Sequence, residues 1–246
     1  MPAQQLANNV AINIALYDVL GFDSQERATF VGHVALASSM VSSSQGTPAG
    51  VRLVHMTPPL LVGSPVRDPA KCHGHVGLDE PKRRVIEAFV RRLESEYAAE
   101  AVRRRLAGTW DQAAKDQFRS DQYTIRPHVR WPDGDRPYHQ LSCAGFVQEA
   151  YEEAGIPLVD TDDANLPTCS LDTLKTAYAV VAAHLEDTEF RVQKGLNGDG
   201  PWPILLPGYI MNSLDRDRDE ILSSPFHATP GDECFPREQT TVEGSS

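Results

Sequence analysis

The segment 138–156, YHQLSCAGFVQEAYEEAGI, holds the arrangement best suited to chemistry. Cys143, Phe146, Val147, Ala150, Tyr151 and Ala154 recur at the spacing of one helical face, which predicts a helix beginning at the cysteine. Ser142 is the residue type that caps such a start. A thiol in a first helical turn faces unpaired backbone N–H groups and the positive end of the helix dipole. Both favour thiolate, and the same N–H groups can hold an oxyanion. The plain alternative is a core cysteine filling an apolar face.

A cysteine nucleophile needs a base, and eight histidines are available. His33 interrupts the apolar run VGHVALAS, and His55 ends the run VRLVHM. If both runs are neighbouring strands, the rings can meet across a sheet, one acting as base and the other orienting it. Gly32 is expected to leave room beside the His33 ring. His139 lies only four residues before Cys143 and would have to fold back sharply. His75 sits in a glycine-flanked stretch where nothing in the sequence fixes its ring.

Cys72, His73 and His75 are three candidate zinc ligands within four residues, but no partner with suitable spacing follows, so no metal is expected. The acidic runs 160–165 and 215–220 lack the glycine and trailing glutamate of a calcium loop. Signatures of serine hydrolases, nucleotide-binding loops and zinc peptidases are missing from the sequence.

These residues need elements to hold them. Runs 10–20, 28–38 and 51–56 read as strands, joined by connections too short for helical crossovers, and are expected to pair antiparallel. Residues 42–50 read as a loop and 57–77 as irregular chain. Residues 79–108 form the clearest helix, with Asp79 as cap, Pro81 in the first turn, Gly108 as stop, and Ile86, Phe89, Val90, Leu93, Tyr97 and Leu106 on one face. Its eight basic and six acidic side chains between 79 and 106 read as a solvated face. A further helix is expected over 171–185, capped by Ser170. The whole reads as one domain over 1–224, with a helical insertion at about 79–120 and a flexible tail over 225–246.

The chain of 246 residues is long enough for its own core. With 34 acids against 23 bases its net charge is −11, a field that repels nucleic-acid backbones and anionic lipid. No run approaches a membrane span, and no cleavable leader is evident, so the expected location is cytoplasmic or exported without such a signal. Four scattered cysteines do not make a disulfide scaffold; free thiols are the simpler reading, with a Cys72–Cys169 or Cys169–Cys234 bridge as alternatives.

The stretch SCAGFVQEAYEEAGI is similar to the nucleophile helix of NlpC-type papain-like cysteine peptidases, which reads Cys-Ser-Gly-Phe-Val, then a tyrosine, then Ala-Gly-Ile. GHVALAS and GVRLVHMT resemble that superfamily's Gly-His-Val strand and the strand after it. Here both histidines precede the cysteine, the order of the circularly permuted branch: YiiX-like proteins, lecithin:retinol acyltransferase-like proteins and PPPDE isopeptidases. The approach Tyr138, His139, Cys143 resembles the PPPDE pattern. The two blocks cover about fifty residues.

The resemblance implies an α+β, papain-like fold with an antiparallel sheet packed on the nucleophile helix. It implies Cys143 as nucleophile, His33 as base and His55 as third polar residue. Tyr138, Gln140 and Ser142 are the expected oxyanion and substrate-binding positions. The implied function is a cysteine hydrolase cleaving a peptide, isopeptide or other acyl substrate through a thioester, with no cofactor. A catalytically silent binding module and a permuted-family lipid acyltransferase are the alternatives. Ala144 and Ser142 depart from the family pattern, which has Ser or Asn after the cysteine and Asp or Asn before it.

Overall fold

The computed structural model describes residues 4–5, 12–24, 27–39, 41–43, 51–66 and 70–236. The chain is mixed α+β. It opens with β1 (Gln4–Gln5), β2 (Ile12–Ile14), β3 (Val19–Asp23), β4 (Val31–Ala37), β5 (Val41–Ser43), β6 (Arg52–Met56), β7 (Leu60–Pro65) and β8 (Cys72–Gly74). Six of these form one antiparallel sheet in the order β1-β8-β3-β4-β6-β7, while β2 pairs with β5. The expected pairing of the three runs therefore holds for β3, β4 and β6. The run 10–20 is not one strand. It breaks at Tyr17, whose φ of 67° turns the chain before β3 begins. The stretch 57–77 is not irregular throughout: despite its Pro and Gly content it supplies β7 and β8, at the sheet edge and beside β3. Most of the loop read at 42–50 lies outside the described residues.

The helices follow as α1 (Glu80–Ala107), α2 (Gln112–Asp121), α3 (Cys143–Glu153), α4 (Leu171–Ala177), α5 (Thr188–Gln193), α6 (Pro207–Leu214) and α7 (Arg218–Ser223). Helix α1 starts where Asp79 accepts a hydrogen bond from Lys82 N. Ile86, Phe89, Val90, Leu93 and Tyr97 are buried, but Leu106 is 83 % exposed, because burial along α1 ends at Glu100. There Glu100 is buried and takes ion pairs from Arg103 and Arg104. The run 171–185 divides into α4 and a 3-10 segment, Ala179–Glu186.

Helix α3 packs on β4 and β6, α6 packs on β3, β4 and β8, and α1 covers α3. The large core lies on this helical side, where Val34, Leu36, Val54 and Met56 meet Phe146, Val147 and Tyr151. The opposite pleat carries a smaller cluster of Leu20, Phe22, Ala35, Ala37 and Leu53. Residues 225–236 are docked rather than frayed. Phe226 bridges Val159, Cys234 bridges Phe30, Phe235 N donates to Thr29 O, and Asn212 Nδ2 donates to the carbonyls of Asp232 and Cys234. These bonds, with Phe226, Ala228, Cys234 and Phe235 packed on the large core, hold the segment; the apolar residues are few and scattered, which is why composition does not reveal it. Residues 237–246 lie outside the described residues. All four cysteines are free, which leaves neither alternative bridge.

Candidate active site

Ser142 caps α3 as expected, its hydroxyl accepting from Gly145 N at 2.8 Å. A second anchor holds the same turn: Ser142 N donates to the His128 carbonyl at 3.0 Å. A Cβ on Gly145 would come within 2.1 Å of that carbonyl oxygen, so the helix start fits against residue 128 only with glycine at 145. Cys143 is thereby set at the first position of α3. It is 2 % exposed. Its sulfur lies in the field of the Cys143 and Ala144 amides and of the Val34 amide on β4, all of which favour thiolate. Burial outweighs them and pushes the thiol up to about 11. The helix N-terminus alone does not make this cysteine a thiolate, contrary to the sequence expectation.

His33 and His55 come together as expected. The β4–β6 register pairs Leu36 with Val54 and Ala37 with Leu53, so one further step sets Ala35 opposite His55 and makes His33 its diagonal neighbour on the same face. The rings meet edge to face with centroids 5.0 Å apart. His33 Nε2 and His55 Nδ1 are 2.8 Å apart, and His55 Nε2 is 2.9 Å from Ser64 Oγ on β7. Ser64 extends the chain of polar groups and was not singled out in the sequence. Nothing in a run that reads as irregular marks it as a side-chain partner of a histidine on the adjacent strand. Burial, with the neighbouring His55, pulls His33 down to about 3; burial pulls His55 down to about 4. Both rings are neutral at pH 7. Two proton arrangements close the chain. In one, both rings carry Nε2–H, and His33 Nδ1 keeps a free lone pair.

His33 and Cys143 line one cavity of about 830 Å³. Among the described residues no hydrogen bond joins the His33 ring to the sulfur. The pleat explains this. Val34 points to the helical side, whereas His33 stands on the opposite pleat with its ring 6.0 Å from that of Phe22. The thiol meets β4 at the amide between these two residues, and both side chains line the cavity. Gly32 does not make room for the ring: a Cβ there would lie 2.8 Å from Ser24 Cα, so the glycine permits the close approach of β3 and β4 at their bulge.

The expected oxyanion positions are displaced. Tyr138 is buried under α1 and receives a hydrogen bond from Arg104. Gln140 is held by Arg130, Arg136 and the Asp121 carbonyl. Neither lines the cavity, and the Ser142 hydroxyl is spent on its cap. The side chains of Tyr138, His139 and Gln140 turn toward α1 and α2. Tyr123 and Tyr178 stand at the sulfur instead, their rings 6.3 Å apart and T-shaped. Burial raises both phenols well above their ordinary range, so both are neutral donors. The Tyr178 hydroxyl is buried against the Tyr123 hydroxyl, with which it interacts, and beside the Cys143 sulfur. Tyr178 reads in the sequence as one more apolar-face residue of the helix after Ser170, so its role at the end of α4 is invisible there.

His139, His73 and His75 are occupied elsewhere. His139 Nδ1 pairs with Glu96 at 2.6 Å, and its ring abuts Trp131. His73 and His75 both reach Asp18, at 2.7 and 2.8 Å, so the His75 ring is fixed after all. Cys72 points to the other pleat, into the large core. No helix among the described residues is long and apolar enough to cross a membrane. No family model, curated protein or solved structure matches the chain.

Proposed function

We propose that the protein is a cysteine hydrolase working through a thioester, with a papain-like site in permuted order. The observation that carries this reading is a thiol on the capped first turn of α3 opening onto the same cavity as the His33–His55–Ser64 chain. In the arrangement with Nε2–H on both rings, His33 Nδ1 is the free base. The resting pair is thiol and neutral imidazole. As sulfur attacks an acyl carbon, its proton passes to His33 and then to the leaving group; water later cleaves the thioester with His33 again taking the proton. The Cys143 N–H and the neutral Tyr178 hydroxyl beside the sulfur are the donors for the developing oxyanion. Phe22, Leu53, Met56, Leu61 and Val181 line the cavity, whose charged lining residues Asp23 and Lys71 pair with each other at 3.7 Å. That lining suits an uncharged, largely apolar acyl group.

A silent scaffold that binds such a group without cleaving it is the second reading, favoured by the raised thiol and the missing His33–sulfur hydrogen bond. The test is intact-mass spectrometry after exposure to a p-nitrophenyl acyl ester. The hydrolase reading expects one acyl adduct on Cys143, released by neutral hydroxylamine as a thioester is, absent in Cys143→Ala and slowed in His33→Ala. No adduct, or one that survives Cys143→Ala, overturns it and leaves the binding module.

A further inference from the structure

At the far end of β3 from the cavity, three side chains converge that the proposed hydrolysis does not use. The β3–β8 register pairs Val19 with Gly74 and Leu20 with His73, so one step further sets Asp18 directly opposite His75. His73 and His75 alternate onto the same face, with Gly74 between them turned the other way against Leu214. Tyr17, a non-glycine residue at φ 67°, delivers Asp18 to this face. The carboxylate is 2 % exposed and His73 is 7 % exposed, whereas the His75 side chain is 40 % exposed.

We infer that Asp18, His73 and His75 form a binding site for a zinc ion. One ligand atom from each residue lies within 4.8 Å of the others. Two imidazoles and a carboxylate are a three-ligand set for zinc, with a fourth position left to water or a ligand. Ligand atoms at about 2.0–2.1 Å from a tetrahedral ion stand about 3.3 Å apart. Asp18 Oδ2 lies 2.7 Å from His73 Nε2 and Asp18 Oδ1 lies 2.8 Å from His75 Nδ1; each is about half an ångström shorter, the spacing of a hydrogen bond whose proton the ion would replace. Ala15 N donates to Asp18 Oδ2, the oxygen that also faces His73, at 2.7 Å and helps fix the carboxylate, as supporting contacts do at metal sites. The exposed edge of His75 gives the ion its way in. Sequence spacing argues against zinc because no further ligand follows Cys72, His73 and His75; the register brings in Asp18, 54 residues before Cys72, and Cys72 faces the core instead.

Chelator-treated full-length protein would be titrated with zinc against a chromophoric chelator, and separately with cobalt, whose visible absorption reports tetrahedral nitrogen and oxygen coordination. The site expects one zinc per chain, a cobalt band, and a melting temperature that rises with zinc. Asp18→Asn and His75→Gln should each weaken zinc by about 100-fold. His75→Gln keeps an N–H toward Asp18, so it should melt like the parent without metal while losing the zinc response. His227→Ala, at an exposed histidine away from the cluster, should bind as the parent does. No saturable zinc at micromolar concentrations overturns the assignment. So does binding unchanged in His75→Gln, or binding lost in Cys143→Ala instead.

Discussion

Alkylation of Cys143 as a function of pH tests the central electrostatic claim about the site. Burial holds the thiol at about 11 against three backbone amides that favour thiolate. At pH 7 the thiolate fraction is then ~10⁻⁴, against about 3 % for a free cysteine of pKa about 8.5. Ionisation alone therefore slows Cys143 about 300-fold relative to a free thiol, before restricted access is counted. The perturbation is pH itself, with His33→Ala beside the parent. Iodoacetamide labelling would be followed by peptide mass spectrometry, which reads all four cysteines in one sample. Cys143 is expected to gain about tenfold in rate per pH unit from 6 to 9, with no plateau, and to trail the more accessible Cys234 at pH 7. Cys72 and Cys169, pushed up to about 12 by burial and absent from the cavity lining, should label more slowly still. His33→Ala should leave the profile's shape unchanged, because the resting imidazole is neutral and offers the thiolate no counter-charge. A rate that levels off below pH 8, or a plateau that His33→Ala removes, would show a resting thiolate–imidazolium pair and refute the reasoning.

Two further outcomes follow from packing and charge. Gly145→Ala forces a methyl to within 2.1 Å of the His128 carbonyl and strains the Ser142 N–H bond to the same oxygen; urea unfolding should show a loss of about 3–4 kcal/mol, and a loss under 1 kcal/mol would mean the helix start adapts freely. Glu149 on α3 is raised to about 7 by burial and by Glu152 and Glu153, so folding takes up a proton there: the penalty is nil below the unfolded value near 4.5 and grows as pH rises through about 7. Glu149→Gln should therefore stabilise at pH 8 by about 1–2 kcal/mol and change little at pH 4.5, measured by urea unfolding at both; equal effects at the two pH values would contradict the assignment.

Local grammar was legible in the sequence wherever a side chain acts on its own neighbours. Asp79, Ser142 and Ser170 cap their helices because a short oxygen-bearing side chain bonds the amide three residues on, and that needs no tertiary partner. The His33–His55 contact was readable for a related reason: two short strands with a brief connection pair antiparallel, and the period of two then decides which residues share a face. Beyond that range the sequence is silent. Which strands lie beside β3 depends on β8 entering the sheet from a run whose Pro and Gly suggest no strand, and that entry alone sets His75 opposite Asp18. Whether Tyr138 and Gln140 face the thiol or the α1–α2 packing depends on the direction from which the chain enters α3. The state of the Cys143 thiol turns on the same distinction. Its helix-start amides are local and favour charge, whereas the burial that opposes them comes from residues distant in the chain, and burial is the larger effect.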